Sequence, residues 1–439
     1  MDATICAFYD FHVECRNPQM ACKIMASSHA PSVSAAVAMI FHGSPFLPLL
    51  ACLSCLLAAT EGESVLSKSS PPPCTLVGMN RWWSPRTVRV RSCGLMPLLF
   101  VTAALPVSTL QLTIVEQTLH ARHRPPPGQR HVEVPERVFK AKEALLSASF
   151  SNSIIWKTAI DSKECTPQSA VDALKLVHSV EHLRAVIDMS KTGGGFDSDT
   201  YCAPGSWEAM LDGVRAWMQA TSMAAAGAGP AFALSRPAGH HATRETGMGF
   251  GLVNFAAAAV AAELAAAPPD PPLRVAILDW DVHHGNGVAA LFAGDKRVRY
   301  CSLHEAGGFP QTGMDEADRG LHGNLLSIPL PKGSGSEEYL AALRHKAVPF
   351  LLGSEERREA LPDLLVVCAG YDALEADPLS TMALAPSDFA ESIQILCGEH
   401  NFPVERIALG LEGGYSLDDE AGMPAAVVAT CAALLNRQI

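Results

Sequence analysis

From about residue 108 onward the chain alternates short apolar runs with longer helix-like stretches. The runs at 110–115, 231–235, 273–278, 298–303, 364–369 and 407–411 are apolar at successive positions. That is the pattern of strands buried on both faces, as in a parallel sheet covered by helices. Between them, 204–226, 252–266, 336–352, 386–400 and 417–435 have helical length and composition. The alternation predicts an α/β fold: an open, doubly wound, mainly parallel sheet with helices on both faces. A ligand site belongs beyond the carboxyl ends of its strands. No internal repeat is visible.

Residues 1–107 read differently. The stretch 46–60 is apolar but short and interrupted by proline, unlike a membrane span. It resembles a signal-peptide core, yet lies far from Met1, with Asp2, Asp10 and Glu14 before it. A start at Met25 or Met39, an organellar transit peptide from Met1, or a poorly ordered extension each accounts for it. The chain is therefore divided into an extension, 1–107, and a main domain, 108–439, with turn clusters at 69–73 and 125–128. The compartment stays open: nucleus or cytoplasm, or a plastid or mitochondrion if the extension is a transit peptide.

Charge sharpens the division. Residues 1–105 hold 7 Lys+Arg against 5 Asp+Glu, whereas 106–439 hold 26 against 40. The net charge of −12 argues against a surface that grips nucleic-acid phosphates. It suits solubility, or attraction of cationic substrates such as Lys-rich tails and polyamines. Seven of the thirteen cysteines precede residue 94, and the single CxxC, Cys52–Cys55, has no second pair at zinc-finger spacing. Cys301 and Cys368, inside strand-like runs, read as small buried hydrophobes.

The unusual residues cluster where strands end. Asp279-Trp280-Asp281-Val282-His283-His284-Gly285-Asn286 follows one run, and Gly370-Tyr371-Asp372 another. Glu412-Gly413-Gly414-Tyr415 and Arg236-Pro237-Ala238-Gly239-His240-His241 follow two more. Asp281 and His283 alternate in an extended segment, so both point to one side. With Asp372 they make two carboxylates and one imidazole, a set that leaves a coordination position open, as catalytic zinc requires. Any one Asp at a strand end reads as a cap or turn residue; the set together does not.

These segments carry a resemblance. RPAGHHATRETGMGFG, LDWDVHHGNG, SLHEAGGFPQTG, CAGYDALEADPL and LEGGYSL are similar, in order and spacing, to the histone deacetylase and acetylpolyamine amidohydrolase family, over about 330 residues. Asn286 and the wording AGYDA resemble its class II and bacterial branches. The resemblance implies an arginase/deacetylase-like fold and one Zn2+ held by Asp281, His283 and Asp372. It implies His241 as proton acceptor and donor, His240 as its electrostatic support oriented by Asp279, and His284 as a supporting residue. Asn286 stands where some members carry an Asp that orients the second histidine; a neutral amide would raise its basicity less. Tyr415, after two glycines, is implied as a hydrogen-bond donor to the tetrahedral oxyanion, a contribution on the order of 3–4 kcal/mol. Gly249, Phe250 and Phe309 match the substrate tunnel, and Asp199 matches a rim Asp that binds substrate backbone, a helix N-cap being its alternative. The segment His131–Arg137 resembles an early HxExPxR element, although Val132 replaces its usual Pro, and implies that Arg137 lines an acetate exit. A monovalent cation such as K+, bound by Asp279, Asp281, His283 and Ser302, is implied as well.

The expected activity is hydrolysis of N-acetyl-lysine in histones or other proteins, with acetylated protein tails and chromatin co-repressor complexes as the partners the resemblance implies. The same chemistry on small acetylated amines such as acetylpolyamines is the first alternative. A two-manganese, arginase-like site would need an acid at the last position of DxHxD, where this chain has Gly285. An inactive binding scaffold is the alternative of another class; the presence of all the chemical groups speaks against it. No integral membrane protein is expected.

Overall fold

The computed structural model describes residues 110–353 and 361–436, together with the backbone of four strands before residue 94. The chain separates into two compact units, Met1–Leu105 and Pro106–Ile439. In the first, β1 (Phe8–Cys15) pairs antiparallel with β2 (Cys22–Ala26) and β4 (Val88–Cys93), and β2 also pairs with β3 (Thr75–Leu76). The apolar stretch 46–60, the CxxC at Cys52–Cys55 and the turn cluster 69–73 lie outside the described residues.

The second unit is built on an eight-stranded sheet, parallel throughout. Its strands are β5 (Leu112–Glu116), β6 (Ile154–Thr158), β9 (Ala231–Leu234), β10 (Val275–Asp279), β11 (Val298–Glu305), β12 (Leu325–Leu330), β13 (Leu364–Ala369) and β14 (Ile407–Leu411). Between β6 and β9 lies a two-residue hairpin, β7 (Gly194–Gly195) with β8 (Tyr201–Cys202). The spatial order is β12-β11-β10-β13-β14-β9-β5-β6.

The burial explains the continuous apolar runs. On β10, Ala276 and Leu278 face one core while Val275 and Ile277 face the other. On β13, Leu365 and Val367 oppose Leu364 and Val366 in the same way. One core is closed by helices Glu136–Ser147, Ser336–Ala342, Pro386–Gln394 and Met423–Leu434, the other by Pro167–Val177, Ser206–Ala225 and Phe255–Ala266. The open α/β sheet with helices on both faces is thus as the sequence implies.

Several boundaries differ, for physical reasons. The last helix begins at Met423 instead of 417, because Gly422 and Pro424 set its start and 412–422 fold as a loop against the sheet edge. The stretch 336–352 widens into a π turn over Leu343–Ala347, which admits Pro349 without a missing α-helical bond. Strands β6 and β12 escaped the apolar-run pattern because both are edges. β6 alternates buried and exposed positions, and β12 carries Pro329, which only an edge strand tolerates.

Candidate active site

Four of the central strands end at one place. β10 ends in Asp279, whose buried carboxylate accepts from the Tyr300 hydroxyl at 2.8 Å and faces Nδ1 of His240 at 3.0 Å. Two residues on, Asp281 turns one oxygen to the Gly413 N–H at 2.8 Å and the other towards Nδ1 of His283 at 3.1 Å. Asp372, beyond β13, repeats the arrangement: one oxygen accepts from the Val282 N–H at 2.9 Å, the other faces His283 Nδ1 at 3.1 Å. Three donor atoms therefore converge, all within 4.8 Å of one another. A Cβ at Gly370 or Gly413 would lie 2.1 Å from an oxygen of Asp281 or Asp372, so only glycine lets these strand ends close around the carboxylates.

The electrostatics fit a cation. Burial disfavours charge on all three groups, yet Asp281 and Asp372 still hold His283 well above the ordinary imidazole range. Burial and the charge of Asp281 raise the pKa of Asp372. A divalent ion between them would neutralise both carboxylates and leave the imidazole neutral, the protonation state in which it binds metal.

Beside this set stands the histidine pair, with ring centroids 4.0 Å apart. His240 is 3.6 Å from Asp281 as well as bonded to Asp279. Burial opposes its charge, but these two carboxylates outweigh it and hold its pKa up at about 10. His241 goes the other way: burial, then the neighbouring His240 and His283, keep it well below the usual value and so neutral. Its Nδ1 meets Oδ1 of Asn286 at 2.8 Å; because that oxygen can only accept, Nδ1 carries the proton and Nε2 keeps a free lone pair.

Tyr415 is buried, its ring edge-on to Phe250 at 5.5 Å and under the Arg137 guanidinium at 4.7 Å. Arg137, fully buried, donates to the carbonyls of Gly414 (2.7 Å) and Glu412 (2.5 Å). Phe309 lies edge-on to His241 at 4.9 Å, and Gly249 packs so closely that a Cβ there would meet both the His241 and the Phe309 rings. Asp199 is exposed on the β7–β8 hairpin and is no helix cap, since the next helix starts at Ser206 behind Gly205.

Two of the expected residues are placed differently from the rest. His284 turns away from the donor set, with Nδ1 at 2.7 Å from Thr312 Oγ1 and Nε2 at 3.3 Å from Ser327 Oγ, so it braces the loop that carries Phe309. Ser302 is in register with Asp279, but its hydroxyl is engaged by His304 at 2.9 Å.

Several residues that build the site were not singled out in the sequence. Glu412 accepts the Gly239 and His240 N–H groups, fixing the histidine loop. Asp377 accepts the Tyr415 and Ser416 N–H groups at 2.6 and 3.2 Å. Glu133 and Arg236 form a buried ion pair that also holds Arg137. Glu412, Arg236, Asp377 and Glu133 all sit inside recognised motifs, which was a usable signal, although only the fold brings Asp377 under Tyr415.

Fold and site together define a hydrolase of the deacetylase class. A histone deacetylase domain matches residues 131–431. An uncharacterized protein of Synechocystis is 41% identical over 66% of this chain and 90% of its own length. A histone deacetylase-like amidohydrolase of Pseudomonas aeruginosa is 35% identical over 67% of this chain and 74% of its own. The crystal structure of the HDA15 HD domain superposes with a TM-score of 0.65 at 30% identity, covering 75% of this chain and 89% of that one. The chain belongs to the histone deacetylase family. Among the described residues no helix is long and apolar enough to cross a membrane.

Proposed function

We propose that residues 108–439 form a domain that hydrolyses N-acetyl-lysine amides in histones or other proteins, releasing acetate, with one zinc ion held by Asp281, His283 and Asp372. The observation that carries this reading is the convergence of those three donors beside His241, whose Nδ1 faces the Asn286 amide oxygen, and the Tyr415 phenol. Zinc supplies Lewis-acid polarisation of the scissile carbonyl and lowers the pKa of a water to about 7.

The chain's own groups do the rest. His241 Nε2, with its lone pair free, takes a proton from the attacking water as the C–O bond forms. His240, hydrogen-bonded to Asp279, is placed to stabilise the negative charge that develops. The Tyr415 hydroxyl donates to the tetrahedral oxyanion, a position fixed by Asp377 behind it and by the Arg137 contacts beneath. The C–N bond then breaks, His241 returns the proton to the leaving amine, and acetate remains near Arg137. A single ion is favoured over a metal pair because a Cβ at Gly285 would lie 2.0 Å from Asp279, leaving no room for a bridging acid.

The carboxylate excess of 106–439 also favours a small cationic substrate such as an acetylpolyamine. Turnover of acetyl-lysine peptides measured beside N-acetylputrescine separates the two. Activity on the small amine alone overturns the protein-substrate reading.

A further inference from the structure

His131 occupies a position that the chemistry above does not use. The Glu133 N–H donates to its Nδ1 at 3.0 Å, so the ring proton must sit on Nε2, which donates to the Asp199 carbonyl at 2.9 Å. The same ring lies edge-on to Phe250 at 4.8 Å and to Tyr201 at 5.0 Å. One half-buried imidazole thus joins the segment leading to Arg137, the tunnel wall and the hairpin that carries Asp199.

The hairpin needs such a tie. Its strands are two residues each, and its tip is closed on itself by Asp197, whose carboxylate accepts from the Asp199 and Thr200 N–H groups. Its hydrogen bonds to the rest of the domain near the tip are the His131 contact and a 3.1 Å bond from the Phe250 N–H to Thr200 Oγ1. Phe250 itself is held at φ +68, a conformation that a phenylalanine keeps only when its surroundings fix it. Without His131 the tip would keep the Phe250–Thr200 bond, and the Tyr201 hydroxyl its contacts with Glu133 and Arg236, but the exposed Asp199 carbonyl would lose its bond to the rest of the domain.

The geometry points to His131 as a positioning residue for substrate selection: it pins the Asp199 hairpin and the Phe250 wall in one arrangement, so that an extended acetyl-lysine peptide meets a fixed rim. Its kinetic consequence rests on the acetyl-lysine reading above; the tether itself does not.

Full-length, zinc-loaded wild type, His131→Gln, His131→Asn and His131→Phe test it. Gln places an amide N–H where Nε2 was and keeps donation to Asp199. Asn keeps only the acceptor for Glu133, and Phe keeps the ring contacts without either bond, serving if the Asn variant loses its cooperative thermal transition. Backbone hydrogen exchange over 194–201 should quicken about tenfold in the Asn and Phe variants, the scale of one lost hydrogen bond, and stay unchanged in Gln. Equal exchange in all four overturns the tether. For an acetyl-lysine heptapeptide, KM should rise about tenfold in Asn and Phe with kcat within about twofold, while N-acetylputrescine kinetics do not move. A matching fall in kcat for both substrates overturns the selective role. Wild type inactive on both would remove the deacetylase reading and the kinetic part with it, and exchange would still decide the tether.

Discussion

His241 Nδ1 rests on the amide oxygen of Asn286 at 2.8 Å, whereas its neighbour His240 rests on the carboxylate of Asp279 at 3.0 Å. His240 thereby faces an anionic partner, whereas burial, then His240 and His283, hold the pKa of His241 down, as an electrostatic support and a proton acceptor require. Asn286→Asp would place a second carboxylate behind His241 and raise its pKa. A base must be unprotonated to act, so the acidic limb of the kcat/KM profile should move to higher pH. Asn286→Ala should instead lower kcat about 10–100-fold, the usual cost of removing an orienting partner. Steady-state pH profiles of the three proteins distinguish these outcomes, and superimposable profiles would show that Asn286 does not act on the base.

Tyr415→Phe removes one hydroxyl from a ring already held by Phe250 and Arg137. The fold should be untouched. If the phenol meets charge only in the transition state, kcat should drop about 10²–10³-fold with KM nearly constant. A rise in KM at constant kcat would instead place the hydroxyl in ground-state binding.

Much of this was legible because strand ends concentrate polar residues. The sequence around Asp281, His283 and Asp372 marks three donors, and the apolar runs mark the central strands that carry them. The edges were opaque: β6 is half exposed, and Pro329 in β12 reads as a breaker until its edge position is known. The supports of the site were opaque for another reason. Asp377 lies 38 positions from the backbone N–H it accepts, and Glu133 lies 103 from Arg236. No local pattern encodes pairings that depend on which loops the sheet brings together. His284, expected as a supporting residue, is turned by alternation away from the donor set to the Thr312 hydroxyl.

The donor set makes a stoichiometric prediction. Purified protein should carry one zinc per chain, and a chelator should abolish activity that added Zn2+ restores. Asp372→Ala and His283→Ala should each lose the metal and the activity together. Elemental analysis checks this directly, and two tightly held manganese ions per chain would overturn the single-ion reading.

Acid stability follows from histidines away from the donor set. His178 has its Nε2 occupied by the Asn254 N–H at 2.9 Å, while Nδ1 donates to the Thr243 carbonyl at 2.8 Å, a pattern open only to the neutral ring. Burial, then the nearby His182, push its pKa down to about 3. Burial and the Arg236 charge do the same for His123, also to about 3. In the unfolded chain each would titrate near 6.5. Between those values the unfolded state binds protons that the folded state refuses, so their contribution is complete above about pH 6.5 and lost as pH falls towards 3. Glu133 adds a lower window: burial raises its pKa, but Arg236 and Arg137 overcome that and hold it at about 2 against 4.5, so its share fades below about pH 4.5. Urea midpoints should therefore fall steadily from pH 7 to pH 4. His178→Gln, whose side chain can also offer one acceptor and one donor but does not titrate, should flatten that slope; an unchanged slope would show that His178 titrates alike in the folded and unfolded chain.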